Sequence, residues 1–256
     1  STYNDNPAET PATGKTKADY KRFDRSGPAT NRQCADAFSG NFLNWASNSA
    51  IDMLRLALSG GDRYIDESNL TILQRAVLPN GDEVTPEGDP VCFWNSSSSF
   101  PAKELPKDGG GTGAYWGAVP ASMKTQANGS SIWVANTLNR IYFGTSNTGG
   151  CNNVGKYTLG YSGSGTPPSS AGLNSDGFFY SRVQVCKANG NVLEDVRDYG
   201  LCKQYPNGNY KPTGVIQKYA DQIRLAAFGY LMDQPASLSS SRYGGVLRAP
   251  MKYVGQ

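Results

Sequence analysis

The stretch Ser39–Leu58, SGNFLNWASNSAIDMLRLAL, is the most strongly patterned part of the chain and limits what the rest can fold around. Phe42, Trp45, Ala46, Ser49, Ala50, Met53, Leu54 and Ala57 fall at helical spacing, which predicts one long core helix with Trp45 and Met53 facing inward. Ser39 suits the N-cap, and Gly60-Gly61 can end the helix in the left-handed conformation. A second helix is predicted from about Glu67 to Leu78. There Leu70, Leu73, Ala76 and Val77 share a face, Asp66 or Ser68 can cap, and Pro79 follows the end. Before these elements, residues 1–36 are rich in Pro, Thr, Asp, Lys and Asn with almost no aliphatic side chain, and read as an irregular arm.

Residues 80–177 change character. SSSS at 96–99, GGGTG at 109–113 and GSGTPPSSAG at 163–172 interrupt short apolar pieces, so this stretch reads as a loop-rich insertion of irregular strands. Regular structure returns at Phe178–Cys186, where Val183 and Val185 alternate with polar neighbours as in a half-buried strand. A helix is then predicted from Pro212 to about Asp221, followed by the apolar run Ile223–Met232, which suits a strand covered on both faces. Residues 37–79 and 178–256 together give an α/β scaffold around the insertion.

Composition narrows the function classes. Only 18% of residues are charged, while Gly (30), Ser, Asn and Tyr (15) carry the polarity, a balance that suits an extracellular protein. A formal net charge of +3 without a run of like charges gives no field that argues for nucleic acid. No run of about 18 apolar residues is present to span a bilayer. No signal peptide opens the sequence, and Ser1 is not a natural start, so export is inferred for a mature or trimmed chain.

The chain has five cysteines and no histidine. A Ser-His-Asp triad or a Cys-His pair therefore cannot form, and the carboxylates show no spacing that sets two in a cleft. The expectation is a protein that catalyses nothing. Cys34, Cys92, Cys151, Cys186 and Cys202 lie far apart without a CxxC pair, so disulfides explain them better than zinc, with ordinary buried thiols as the alternative. Cys186 and Cys202 flank a Gly/Asn-containing stretch and are the expected pair. The odd count leaves one cysteine over.

GGGTG lacks the ending of a phosphate loop. Asn80-Gly81-Asp82 and Asn174-Ser175-Asp176-Gly177 are the nearest approaches to a calcium loop, and the second reads better as a turn. No metal or cofactor is expected in this segment. The aromatic residues Trp94, Tyr115, Trp116, Trp133, Tyr157 and Tyr161 make a candidate recognition surface, since rings offer rigid contact area among small polar groups. Burial of such rings in a satellite core is the competing reading.

Several blocks carry a resemblance. Phe38-Ser39-Gly40-Asn41-Phe42-Leu43-Asn44-Trp45-Ala46, then Asp52, Arg55 and Gly60-Gly61, followed by Gln74-Arg75-Ala76-Val77-Leu78-Pro79, resemble the PilY/PilC family of type IV pilus tip adhesins and biogenesis factors. Arg182-Val183-Gln184-Val185-Cys186, Cys202, Tyr210-Lys211-Pro212-Thr213-Gly214 and Gly244-Gly245-Val246-Leu247-Arg248 extend it in the family's order. The resemblance implies an exported bacterial protein at the pilus tip, outer-membrane associated. It also implies a region related to the von Willebrand factor A fold and, elsewhere in the full protein, a β-propeller that can carry calcium. The Asp-x-Ser-x-Ser metal loop of an A-type module is missing here, so the scaffold is expected to be a partial one.

Two roles remain open. One is an adhesive module for a host-cell or abiotic receptor of unknown identity. The other is a structural module that docks on minor pilins by adding a strand to a free sheet edge.

Overall fold

Ser39 caps the first long helical segment as expected, its side chain accepting from the Phe42 amide at 3.5 Å. The segment is nevertheless broken. In the computed structural model, which describes residues 1–30, 34, 36–77, 82–84, 90–92, 102–107, 116–147, 159–161, 173–187, 200–230 and 245–253, it forms two helices. α2 (Gly40–Ser47) and α3 (Ala50–Ser59) follow a single-turn α1 (Lys17–Tyr20). Asn48 leaves α2 in extended conformation, and Ser49 starts α3 with a capping box. The Ser49 amide and hydroxyl both donate to Asp52 Oδ2, at 2.9 and 2.7 Å. An Asn-Ser pair with an acid three residues later prefers to cap a new helix rather than continue an old one. Gly60 (φ 83°) and Gly61 (φ 106°) close α3 in the left-handed region, as the sequence implies.

The break turns the helices, and the inward face differs from the expected one. Phe42, Leu43 and Ala46 are buried, whereas Trp45 is 50% and Met53 54% exposed. The placement of Trp45 and Met53 in the core is thus corrected. The second predicted helix is a hairpin of β3 (Arg63–Glu67) and β4 (Leu70–Gln74) around Ser68-Asn69. The β-branched pair Thr71-Ile72 favours a strand, and Ile72 is fully buried there.

The first thirty residues are not an irregular arm. β1 (Thr2–Asn4) and β2 (Arg22–Asp24) enter a five-stranded sheet of order β1-β2-β11-β4-β3, with β11 at Arg182–Val185. Ionic anchors replace the missing aliphatics. Arg22, 3% exposed, bridges Glu9 at 2.6 Å and Asp24 at 2.8 Å, and Lys21 bridges Asp5 at 2.9 Å. Burial by itself would lower the Arg22 pKa, but Glu9 and Asp24 outweigh it and raise it.

The stretch read as an insertion carries β5 (Asp82–Val84), β6 (Pro90–Cys92), β7 (Lys103–Leu105), α4 (Ala121–Ala127), β8 (Ile132–Thr137) and β9 (Arg140–Gly144). With β10 (Phe179–Tyr180), the last two and β7 make an antiparallel sheet of order β10-β9-β8-β7. The main core lies between the two sheets and α2. Phe23, Phe38, Phe42, Ile132, Val134, Phe143 and Phe179 all belong to it. Phe179 sits at its centre, edge-on to Tyr3, Phe38 and Phe143 at 4.9, 5.5 and 5.5 Å. Only Ser181 separates β10 from β11, so one extended run passes from one sheet to the other.

β11 lies at the middle of the five-stranded sheet, parallel to β2 and antiparallel to β4. Its pattern differs from simple alternation: Val183 is 40% exposed while Arg182 and Gln184 are buried. Beyond it, β12 (Cys202–Gln204) and β13 (Tyr210–Pro212) pair, and Cys186 is joined to Cys202 with Cα atoms 5.6 Å apart. Pro212 ends β13 instead of opening a helix, and α5 spans only Val215–Lys218. β14 (Arg224–Tyr230) is the expected strand, but it is not buried. It pairs with β15 (Gly245–Tyr253) in a separate two-stranded ribbon, with Phe228 77% exposed.

Neither unit behind the A-type expectation takes the expected form, because the long helix is two and the helix-to-strand unit lies outside the main sheets. The described architecture is mixed α/β with several small sheets. Among the described residues no helix is long and apolar enough to cross a membrane.

Candidate functional site

A groove of about 490 Å³ runs between α2–α3 and the face of β2, β11 and β4. It exists because the two short helices do not lie as one rod across the sheet. Val183, Leu73, Gln184 and Arg75 form the sheet side, Asn41, Asn44, Asn48, Asp52 and Met53 the helix side, and Cys34 with Ser1 one end. The lining mixes exposed apolar surface with amide side chains, a composition that suits extended or polar ligands held by hydrogen bonds.

Fixed polar contacts hold its walls. Asp52 Oδ1 accepts from the Ala76 amide at 2.6 Å, which ties α3 to the exit of β4, while its other oxygen is used in the cap. The Arg75 amide donates to Ser181 O at 3.0 Å and its guanidinium to Leu138 O at 2.6 Å. Burial lowers the Arg75 pKa, partly offset by Asp52. Arg182 lies between the rings of Tyr64 and Tyr180, 4.2 Å from each, and donates to Gln74 Oε1 and Ala18 O at 2.7 Å each. Its pKa is also lowered by burial. Outside the lining, Lys103 Nζ sits 4.9 Å from the Trp45 ring and donates to Trp45 O. Burial and the positive field of Arg75 lower the Lys103 pKa.

The carboxylates of the groove are committed. Asp52 is used as described, and Asp62 pairs with Arg55 at 2.6 Å. Cys34 is a partly buried free thiol. Among the described residues, the lining offers a ligand donors, amides and apolar surface.

The proposed aromatic surface is only partly visible. Trp94, Tyr115 and Tyr157 lie outside the described residues. Trp116 begins a short 3-10 turn, Trp133 is partly buried on β8 opposite Gly144 and Glu104, and Tyr161 is partly buried and bridges Asn174. Trp133 alternates with the buried Ile132 and Val134, so it lies on the side of that sheet away from the core. Near the groove, an exposed aromatic that sequence reasoning placed in the core is Trp45. Its signal was the Asn-Ser helix break, which moves its face outward.

The Asn174–Gly177 loop is a turn in which Asn174 Oδ1 accepts from the Gly177 amide at 2.8 Å. Its Asp176 carboxylate is engaged by Lys21 Nζ at 2.6 Å, with Ser175 Oγ at 3.0 Å from the same ammonium. Among the described residues no three His, Cys, Asp or Glu side chains gather at metal-binding distance.

Residues 15–85 match the family model described as PilY1 homolog, small alpha/beta domain, a span that contains α1 through β5. A type IV pilus biogenesis factor PilY1 homolog of Xylella fastidiosa (strain Temecula1 / ATCC 700964) is 31% identical over 238 residues, which cover 89% of this chain. The chain belongs to the PilY1 family. A second PilY1 homolog of that strain is 26% identical over 228 residues, 86% of the chain. The chain spans only 16% and 14% of the lengths of these two PilY1 relatives. No solved structure matches it.

Proposed function

We propose that this chain is a non-catalytic binding segment of a type IV pilus biogenesis factor, exported and carried at the pilus tip, where it contributes to surface attachment. The observation that carries this reading is the kinship to two PilY1 homologs over nearly the whole chain. The groove supports it physically, since its fixed amides and exposed apolar residues are suited to holding a partner without transforming it. The Cys186–Cys202 bond is consistent with an oxidising compartment.

Docking on minor pilins by strand addition is the weaker reading. β7, which ends the four-stranded sheet, has three residues and begins with a lysine, and short charged edges resist added strands.

The test uses Val183→Glu on the groove floor, introduced into the full-length protein in its own bacterium. Pili are counted by electron microscopy and attachment is measured separately. The adhesive reading expects attachment to fall with pilus number kept. A fall in pilus number would favour the docking role, and no change in either would remove the groove from the proposal.

A further inference from the structure

The β14–β15 ribbon stands apart from the main sheets and is amphipathic in an unusual sense. On one face Phe228 lies opposite Leu247, with Met251 and Tyr253 farther along, and these four are 77, 50, 68 and 53% exposed. Arg224 lies opposite Tyr253 with its guanidinium 4.7 Å from the ring. Arg248 and Lys252 alternate with the apolar residues of β15 and are exposed, and neither strand carries a carboxylate. A two-stranded ribbon with such a face is marginally stable in water by itself, and a row of exposed large apolar residues marks an interaction surface.

We propose that this ribbon docks face-on to an anionic lipid surface, with the apolar row and Arg224 entering the headgroup boundary and with Arg248 and Lys252, on the ribbon's other face, attracted to the phosphate groups from within a Debye length. Charge complementarity decides the occupant. A uniformly basic ribbon repels a second copy of itself, whereas it is attracted to an anionic interface, where Tyr and Phe rings also partition. Edge pairing with another protein strand is opposed by the sequence. Pro250 has no amide to donate, Lys252 marks the same edge strand, and the β14–β15 register shifts between Leu225 and Ala227 and between Ala227 and Phe228. The face therefore remains as the working surface. This inference does not depend on the pilus reading and can fail or hold independently of it.

The test is flotation of the 256-residue chain with vesicles of phosphatidylcholine alone and of equal parts phosphatidylcholine and phosphatidylglycerol. Co-flotation is expected with the anionic vesicles and is weakened by added salt. Arg248→Gln with Lys252→Gln should weaken it roughly twenty-five-fold, at about five-fold per basic residue. Phe228→Ser with Met251→Ser should abolish it. Val77→Ser, which removes an exposed apolar residue from the body of the protein, should bind as the unchanged chain does. All the substituted residues are exposed, and unchanged thermal melting verifies that the variants fold. The proposal is overturned if the chain stays with the lipid-free fraction, if the ribbon variants float as well as Val77→Ser, or if the ribbon drives only self-association.

Discussion

Replacing Phe179 by alanine removes the ring around which both sheets are assembled. Phe179 is fully buried and meets Tyr3, Phe23, Phe38 and Phe143 with ring centroids 4.9 to 5.9 Å apart. Phe→Ala in a packed core costs about 3–5 kcal/mol, and edge-on aromatic pairs add to simple area burial, so the upper end, about 5 kcal/mol, is expected. A stability of about 5–15 kcal/mol would lose a third or more of its value. In urea, with a slope of about 3 kcal/mol per molar, the midpoint followed by circular dichroism should fall by about 1.7 M. The informative control is Trp45→Ala. Trp45 is half exposed and keeps a cation–π contact with Lys103, so its loss should cost about 1 kcal/mol or less. If Trp45→Ala proved the more damaging change, the inward face of α2 would be the one its periodicity implied and the core described above would be wrong.

Cys186→Ser with Cys202→Ser should lower stability by about 3 kcal/mol, because the bond closes a loop of 16 residues; equal melting of oxidised and reduced protein would contradict this. Gly60→Ala should unfold the chain or leave it insoluble, since an added Cβ would stand 2.6 Å from the Pro212 carbonyl carbon at a backbone φ of +83°. Gly27→Ala, in open space, should be neutral by the same solubility and melting assays. Asp66 gives a pH dependence. Burial raises its pKa, but hydrogen bonds from Lys211 and Arg63 outweigh this and hold it below the usual carboxylate range. Its contribution is then present above the unfolded-state value of about 4 and is lost as pH falls through the lower folded value. Urea midpoints measured between about pH 5 and pH 2 should fall less steeply for Lys211→Met, and an unchanged slope would count against the pairing.

Local signals of capping and backbone conformation were legible in the sequence. Ser39, the Gly60-Gly61 stop and the pairing of Cys186 with Cys202 take the expected form, and residues 182–185 are a strand as expected, though with Val183 on its exposed side. Facing was harder to read. Helical periodicity fitted Leu70, Leu73 and Ala76, yet Thr71-Ile72 after a Ser-Asn turn was the better signal, for a strand beside β11. The run after Ile223 was rightly a strand, but continuous apolar residues cannot distinguish one buried in a sheet from one in an exposed ribbon. The groove escaped notice because it depends on where two helices cross a sheet. Its only sequence trace is Val183 between Arg182 and Gln184 in a central strand.

The Cys186–Cys202 bond also has a mechanical meaning. If the chain were drawn out from its two ends, the force would pass across a 5.6 Å Cα separation instead of through the 16-residue connection. At about 3.3–3.6 Å per extended residue, about 50 Å of contour length stays hidden until the bond is reduced. The bond would thus limit extension locally, keeping the end of β11 close to the start of β12 under tension that had already separated the sheets.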